Sequence, residues 1–152
     1  MLTGRYTGLS LRPMIEAHVT IPSIKAAGFI QFLIDTGADC TTLTPADGRR
    51  LRIDHTKLTT EDHSIGYAGS TLDFICKGIV TFSEIGVVEY EYDVDLRVTK
   101  PDPGIPELFM LPSLLGRDIL NRWQLSFDPK AMTITANVLS CDRSNSLNLR
   151  GG

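Results

Sequence analysis

Hydrophobic and polar residues alternate with a period of two over much of this chain. In segment 15–21 every second residue is apolar, and segment 88–98 alternates in the same way between apolar and mostly acidic residues. A period of two places one face of a strand inward and the other outward. A strand with a wet, acidic face suits an antiparallel sheet better than a parallel sheet that is buried on both sides.

Five more segments are rich in strand-forming residues: 29–34, 71–82, 109–115, 124–127 and 132–139. Only segment 117–123 predicts a helix, and it is short. The tail 140–152 is polar, and we expect it to fray. The pattern predicts an all-β protein, a closed barrel or folded sheet with one short C-terminal helix, with a domain over 1–139 and a polar tail over 140–152.

Composition narrows the class of protein. The chain has 152 residues, the size of one domain, and a formal net charge of −3. That net negative charge argues against a nucleic-acid partner, because a protein that binds nucleic acid needs a cationic face to neutralise the phosphates. Three cysteines without a C-x-x-C spacing fit neither a disulfide framework nor a zinc ribbon. With no apolar run long enough for a signal peptide or a membrane span, we expect a cytoplasmic protein without a membrane partner.

One carboxylate lies at the end of an apolar segment, where desolvation disfavours its charge. Asp35 directly follows the apolar run Phe-Leu-Ile at 32–34, and Gly37 two residues later indicates a sharp turn. A carboxylate at the end of a buried strand needs hydrogen bonds or a shared proton. The simple interpretation is an Asx-type turn in which Asp35 accepts bonds from nearby backbone amides. An Asp-Thr-Gly without a second motif does not exclude this interpretation, because three residues recur by chance.

A second motif favours a functional interpretation. About 80 residues later, segment 114–120 reads LLGRDIL, an apolar strand that runs into a glycine and a charged helical turn. Together, LIDTGADCTTL at 33–43 and LLGRDIL resemble the retropepsin family of single-domain aspartic proteases. The resemblance covers roughly residues 30–127.

The resemblance implies a role for each residue of the two motifs. Asp35 would be the catalytic carboxylate, and Thr36 and Gly37 would support the catalytic loop. Ala38 and Asp39 match positions that line the substrate cleft. Gly116 and Arg117 match structural positions, with Arg117 as a buried arginine paired with Asp39. The alternative for Arg117 is a solvated charge on the short helix.

The chain contains a single Asp-Thr-Gly. Hydrolysis of a peptide bond by carboxylates needs one group to take a proton from water and another to give a proton to the carbonyl oxygen. Two carboxylates that share one proton do both, because they cannot both ionise at close range. The second carboxylate must therefore come from another copy, which predicts a two-fold homodimer acting on a polypeptide substrate. In the family, chain termini from both copies interleave in a sheet, so the resemblance implies that Ile134 to Leu139 contributes to a dimer sheet.

The family also covers its cleft with a glycine-rich hairpin. Segment 63–72 carries Gly66 and Gly69 between two β-rich runs, so Ile65, Gly66, Tyr67 and Ala68 are the expected substrate-binding residues of this flap. The same segment would also suit an inert surface hairpin.

Other chemistry has weaker support. The three histidines lack a metal-binding spacing, so we expect no metal and no cofactor. Cys40 lacks an evident histidine to activate it as a nucleophile. The alternative function is a catalytically weak or inactive dimeric module of the same fold that binds extended peptides as an added strand.

Overall fold

A computed structural model describes residues 1–66 and 69–147 of the chain. Its strands, in chain order, are β1 (Leu2–Thr7), β2 (Arg12–Ile21), β3 (Ala26–Ile34), β4 (Thr42–Leu43), β5 (Glu61–Gly66), β6 (Gly69–Glu84), β7 (Val88–Thr99), β8 (Ser113–Leu115), β9 (Trp123–Asp128), β10 (Thr133–Val138) and β11 (Arg143–Ser146). Two short α-helices are α1 (Pro45–Arg50) and α2 (Arg117–Leu120), and 3-10 turns occupy Pro22–Ile24, His55–Lys57 and Pro106–Met110.

The strands form one folded sheet in the order β5-β6-β7-β4-β8-β3-β2-β1-β10-β9, with β11 paired to β7 and an extra pairing of β6 with β2. Most pairs are antiparallel, whereas β3–β8 and β4–β7 are parallel. The inward faces enclose one core, in which Phe32, Phe82 and Leu115 are fully buried. The predicted all-β class is confirmed. Every segment predicted as a strand contains one, although 109–115 extends only from Ser113 because a 3-10 turn precedes Pro112.

The predicted short C-terminal helix is confirmed, and the described residues contain one further short helix. Helix α2 lies where it was expected, but α1 is a second helix that the hydrophobic pattern does not show. It has only six residues and contains Gly48. Its sequence signals are local: Pro45 occupies the first helical turn and Arg49 and Arg50 occupy the last turn, where cations suit the helix dipole.

The expectation that the tail frays was wrong for 140–147. Strand β11 pairs antiparallel with β7 from Arg143↔Glu91 to Ser146↔Val88. Arg143 donates to both oxygens of Asp93, at 2.7 and 2.8 Å, and to Glu91 at 2.6 Å. The acidic face of β7 thus binds a strand that has no buried residue. Backbone pairing and the ion pairs of Arg143, rather than apolar burial, attach this part of the tail.

The strand expected to face a second copy is enclosed within its own chain. Strand β10 is flanked by β1 on one side and by β9 on the other. Among the described residues, no strand pairs with the outer edge of β9. The open edge at this end of the sheet therefore belongs to β9, not to β10.

His55 is a histidine held in an apolar setting. In the described structure its Nε2 is buried without a hydrogen-bond partner, and its ring lies 6.0 Å from that of Phe74. Desolvation by burial lowers the pKa of His55 below its ordinary value, the nearby Lys100 adds to the lowering, and Asp54 opposes it. The folded state therefore binds this proton less readily than the unfolded state does.

We expect stability to fall as the pH drops below about 6.5, the pKa of an unperturbed histidine. The unfolded chain then takes up a proton that the folded chain resists. The urea midpoint should be lower at pH 5.5 than at pH 7.5, and a His55→Phe variant should lose much of this difference. The exposed His63 provides the control, since His63→Phe should keep the full difference. Equal pH dependence in both variants would contradict this account.

Candidate active site

Asp35 stands at the end of two parallel strands. Strand β3 ends at Ile34, and the Asp35 amide donates to the carbonyl oxygen of Leu115 at the end of β8, at 3.1 Å. The chain then turns: the Gly37 amide donates to Asp35 Oδ1 at 2.9 Å, and the Ala38 amide donates to the Asp35 carbonyl oxygen at 3.2 Å. The described residues offer Oδ2 no hydrogen bond. One oxygen of this half-buried carboxylate is therefore fixed, and the other is available.

Gly116 allows the segment after Asp35 to pack against the start of α2. A Cβ atom built on Gly116 would lie 2.6 Å from the carbonyl oxygen of Cys40 and 2.8 Å from the Thr41 nitrogen. No side chain fits at that distance. Because the glycine permits this approach, the Arg117 amide donates to the Ala38 carbonyl oxygen at 2.8 Å and the Asp118 amide to the Asp39 carbonyl oxygen at 3.3 Å.

A buried threonine stabilises the same contact between the loop after β3 and the start of α2, which we call the junction. Thr41 is fully buried; its amide donates to Asp118 Oδ2 at 2.9 Å and its hydroxyl to Asp118 Oδ1 at 2.7 Å. The Thr41 hydroxyl also accepts a hydrogen bond from the Gly116 amide at 3.2 Å. These bonds join the loop after β3 to α2 and satisfy polar groups that burial would otherwise leave unpaired.

Arg117 reaches the tip of the loop formed by residues 35–39. Its guanidinium donates to the Thr36 carbonyl oxygen at 2.9 Å and contacts the Asp39 carboxylate. In the single chain the Arg117 side chain is 41% exposed and that of Asp39 is 82% exposed. The arginine thus pairs with Asp39 but is not buried here. Thr36 and Gly37 are exposed as well, so the whole loop tip faces solvent.

The segment expected to be a flap forms a hairpin. Strands β5 and β6 pair antiparallel, and their register brings Gly66 opposite Gly69. The φ angle of Gly69 is +94°, which glycine adopts without strain. Ile65 is exposed. Tyr67 and Ala68, which were expected to contact substrate, lie outside the described residues.

Two clefts of the described structure lie away from Asp35. One cleft of about 340 Å³ lies between residues 70–72 of β6 and the loop around 100–108. Another, of about 500 Å³, lies on β1, β2 and neighbouring strands. Within the described part of the chain, no three His, Cys, Asp or Glu side chains are grouped as metal ligands. No helix among the described residues is long and apolar enough to cross a membrane.

Comparison with known proteins identifies the architecture. No family model matches the chain, and no curated protein matches it. The crystal structure of a retropepsin-like aspartic protease from Rickettsia conorii matches 86% of this chain and 94% of that chain, with a TM-score of 0.52 and 22% identity. The chain has a retropepsin-like fold. The EIAV protease complexed with the inhibitor HBY-793 matches 76% of this chain and 90% of that chain, with a TM-score of 0.43 and 22% identity.

Within this retropepsin-like fold, the structure brings most of the expected residues together. Asp35, Thr36, Gly37, Ala38 and Asp39 form one loop, which contacts Gly116 and Arg117. Ile65 and Gly66 lie on the separate hairpin.

Sequence reasoning missed Thr41 and Asp118, which join the two motifs. Both residues stand inside the quoted motifs, but their side chains are 77 residues apart in the chain. The only signal was a hydroxyl residue a few positions after Gly37 and an acid shortly after Gly116.

We expect the Thr41→Val variant to be less stable by about 1–3 kcal/mol, because it leaves the Gly116 amide unpaired and removes a bond to Asp118. Urea unfolding measures the change in the free energy of unfolding. Thr42→Val is the matched control: the Thr42 hydroxyl makes one hydrogen bond, to the Cys40 carbonyl oxygen at 3.2 Å, in a half-buried position on β4. Similar losses in both variants would show that the Thr41 hydroxyl has no special role.

Proposed function

We propose that this protein is an aspartic endopeptidase that acts as a homodimer, with one Asp35 from each chain in the dyad. The observation that carries the proposal is the Asp35 carboxylate, held at one oxygen by the Gly37 amide and free at the other. The retropepsin-like fold supports it, because a solved structure of that fold is described as an aspartic protease.

The surroundings of Asp35 support the proposal that one chain supplies half of an active site shared by two chains. The other acidic groups of the junction are already engaged, Asp39 by Arg117 and Asp118 by Thr41 and nearby amides. The described site thus offers Asp35 no free carboxylate from its own chain. The loop tip is exposed, and neither of the two clefts contains it. A second copy facing this loop would supply the missing carboxylate and enclose a cleft.

The proposed chemistry needs one proton between two Asp35 side chains. Two carboxyl groups at close range cannot both ionise, so the pair would share one proton. The ionised Asp35 takes a proton from a bound water, which attacks the peptide carbonyl carbon. The protonated Asp35 donates to the carbonyl oxygen, and the tetrahedral intermediate then collapses with a proton transferred to the leaving amine. No metal or cofactor takes part in this proposal.

The remaining expected residues have proposed places around the dyad. Thr36 and Gly37 support the loop, Ala38 and Asp39 border an extended polypeptide, and the hairpin residues Ile65 and Gly66, with Tyr67 and Ala68, cover it. Gly116 and Arg117 hold the loop from beneath. The exposure of Ile65 suits a side chain that packs against a bound ligand.

The partner is a second copy of this chain, and the open edge of β9 is the strand best placed to meet it. We further propose that residues 1–139 form the peptidase domain, that residues 140–152 are an appended tail, and that the protein works in the cytoplasm without nucleic acid or membrane.

We expect the purified chain to cleave unfolded casein and the Asp35→Asn variant to lose on the order of 10²–10⁴-fold in rate, the usual contribution of a positioned acid or base. The amide keeps the size of the side chain but cannot take the proton. Gel electrophoresis with timed sampling measures cleavage, and sedimentation equilibrium shows whether both proteins form the same dimer.

Asp95→Asn is the matched control, because Asp95 is an exposed acid paired only with Lys77 at the surface. It should cleave like the unmodified chain. Equal cleavage by the Asp35→Asn variant would refute the peptidase proposal. Tight binding of the polypeptide without cleavage would instead favour the peptide-binding module.

A further inference from the structure

Arg97 connects the proposed flap to the catalytic loop. On the loop side, β4 follows the Asp35 turn directly, and Thr42 pairs in parallel with Arg97 of β7. The Arg97 amide donates to the Thr41 carbonyl oxygen at 3.1 Å. Thr41 is the residue that locks the loop onto α2. The backbone of Arg97 is therefore part of the support beneath Asp35.

The guanidinium of Arg97 extends from this support to both strands of the hairpin. It donates to Asp62 Oδ2 at 3.0 Å and to the Ser64 hydroxyl at 3.1 Å, both on β5. Its Nη1 also lies 3.7 Å from Asp73 Oδ2 on β6. The Ser64 hydroxyl itself contacts Asp73, which closes a network of four side chains.

The hairpin needs this cation for an electrostatic reason. Asp62 and Asp73 are directly opposite each other in the β5–β6 register. Like charges in that position destabilise a pair of strands. Asp73 is only 2% exposed, so water screens its charge poorly. A guanidinium that contacts both carboxylates converts the repulsion into two attractions.

Titration behaviour agrees with this contact pattern. The Arg97 hydrogen bond, together with the His63 amide, holds the pKa of Asp62 below its usual range. Desolvation by burial tends to lower the pKa of Arg97, but the hydrogen bond to Asp62 and the charges nearby outweigh it, so that pKa is raised. The guanidinium thus binds the hairpin through Asp62 and Ser64, while the Arg97 backbone amide binds the Thr41 carbonyl oxygen.

We propose that Arg97 is a positioning residue that fixes the base of the β5–β6 hairpin to the loop carrying Asp35. This proposal rests on the proposed function, because it assigns the hairpin the role of a flap over substrate. Arg97 makes no contact with the Asp35 carboxylate and takes no part in proton transfer. It sets the geometry in which the hairpin and the carboxylate meet a bound polypeptide.

The test is hydrogen exchange in the hairpin of the Arg97→Met variant, which keeps the length of the side chain and removes the charge. Amides of residues 61–66 and 69–75 should exchange about tenfold to a hundredfold faster, the factor expected when hydrogen bonds to charged groups are lost. Amides of β1, β9 and β10 should keep their rates. Arg97→Lys retains one charge without the forked donors and should give an intermediate increase.

A double variant tests whether repulsion between Asp62 and Asp73, rather than a general loss of stability, causes the faster exchange. In the Arg97→Met background, Asp62→Asn removes one of the two facing charges and should restore part of the hairpin protection. Arg143→Met is the matched control, because Arg143 also bridges two acids of β7, Glu91 and Asp93, at the end paired with β11. It should leave hairpin exchange unchanged.

Kinetics distinguish positioning from catalysis. With a peptide substrate, Arg97→Met should raise KM about tenfold with a smaller change in kcat, because the hairpin binds substrate and Asp35 performs the chemistry. Repeating the exchange measurement on the inactive Asp35→Asn protein makes it independent of turnover. Absence of cleavage by the unmodified chain would refute the proposed function. Unchanged hairpin exchange, or an equal rise throughout the chain, would overturn the role of Arg97.

Discussion

The structure depends on the close approach of two backbone segments at Gly116. The loop after β3 passes so near this residue that no side chain fits, and the contact is closed by the buried hydroxyl of Thr41 and the carboxylate of Asp118. A carboxylate at the end of a buried strand keeps a defined orientation only if the following turn is held from outside. Here the support comes from a segment almost 80 residues away in the chain. The geometry of Asp35 is therefore a property of the whole fold.

The same support extends outward to the hairpin. Strand β4 follows the loop and joins it to the sheet, since it pairs with β8 on one side and with β7 on the other. Through Arg97, strand β7 contacts the acids at the base of β5 and β6. The loop and the hairpin are consequently both bound to strand β7. In the proposed homodimer, a second copy would supply the other carboxylate and cover the exposed loop tip.

Much of the fold could be predicted because its determinants are local. Alternation over 15–21 and 88–98 marks strands whatever their partners are, and the glycines at 37 and 116 mark positions of tight backbone geometry. Strand β1 was missed because Gly4 and a run of polar residues interrupt its pattern. Strand β11 was missed because it buries nothing and is attached by the pairing of Arg143 with acids of β7.

The site was predictable only in part, for a related reason. Asp35 and Arg117 belong to motifs that can be recognised in a few consecutive residues. The bonds of Thr41 to Asp118 and of Arg97 to Asp62 join residues 77 and 35 positions apart. Threonines, arginines and aspartates are numerous in the chain, and only the sheet topology selects which of them meet. The enclosure of β10 by β1 and β9 likewise follows from strand order, which periodicity does not specify.

The central claim is that each chain carries half of a catalytic pair, and a mixing experiment tests it most directly. Unmodified and Asp35→Asn chains are unfolded together at varied ratios and fixed total concentration, refolded, and assayed for peptide cleavage. If each site needs Asp35 from both chains, activity falls as the square of the unmodified fraction. Activity that falls in direct proportion to that fraction would mean that a single chain holds a complete site, and would contradict the account.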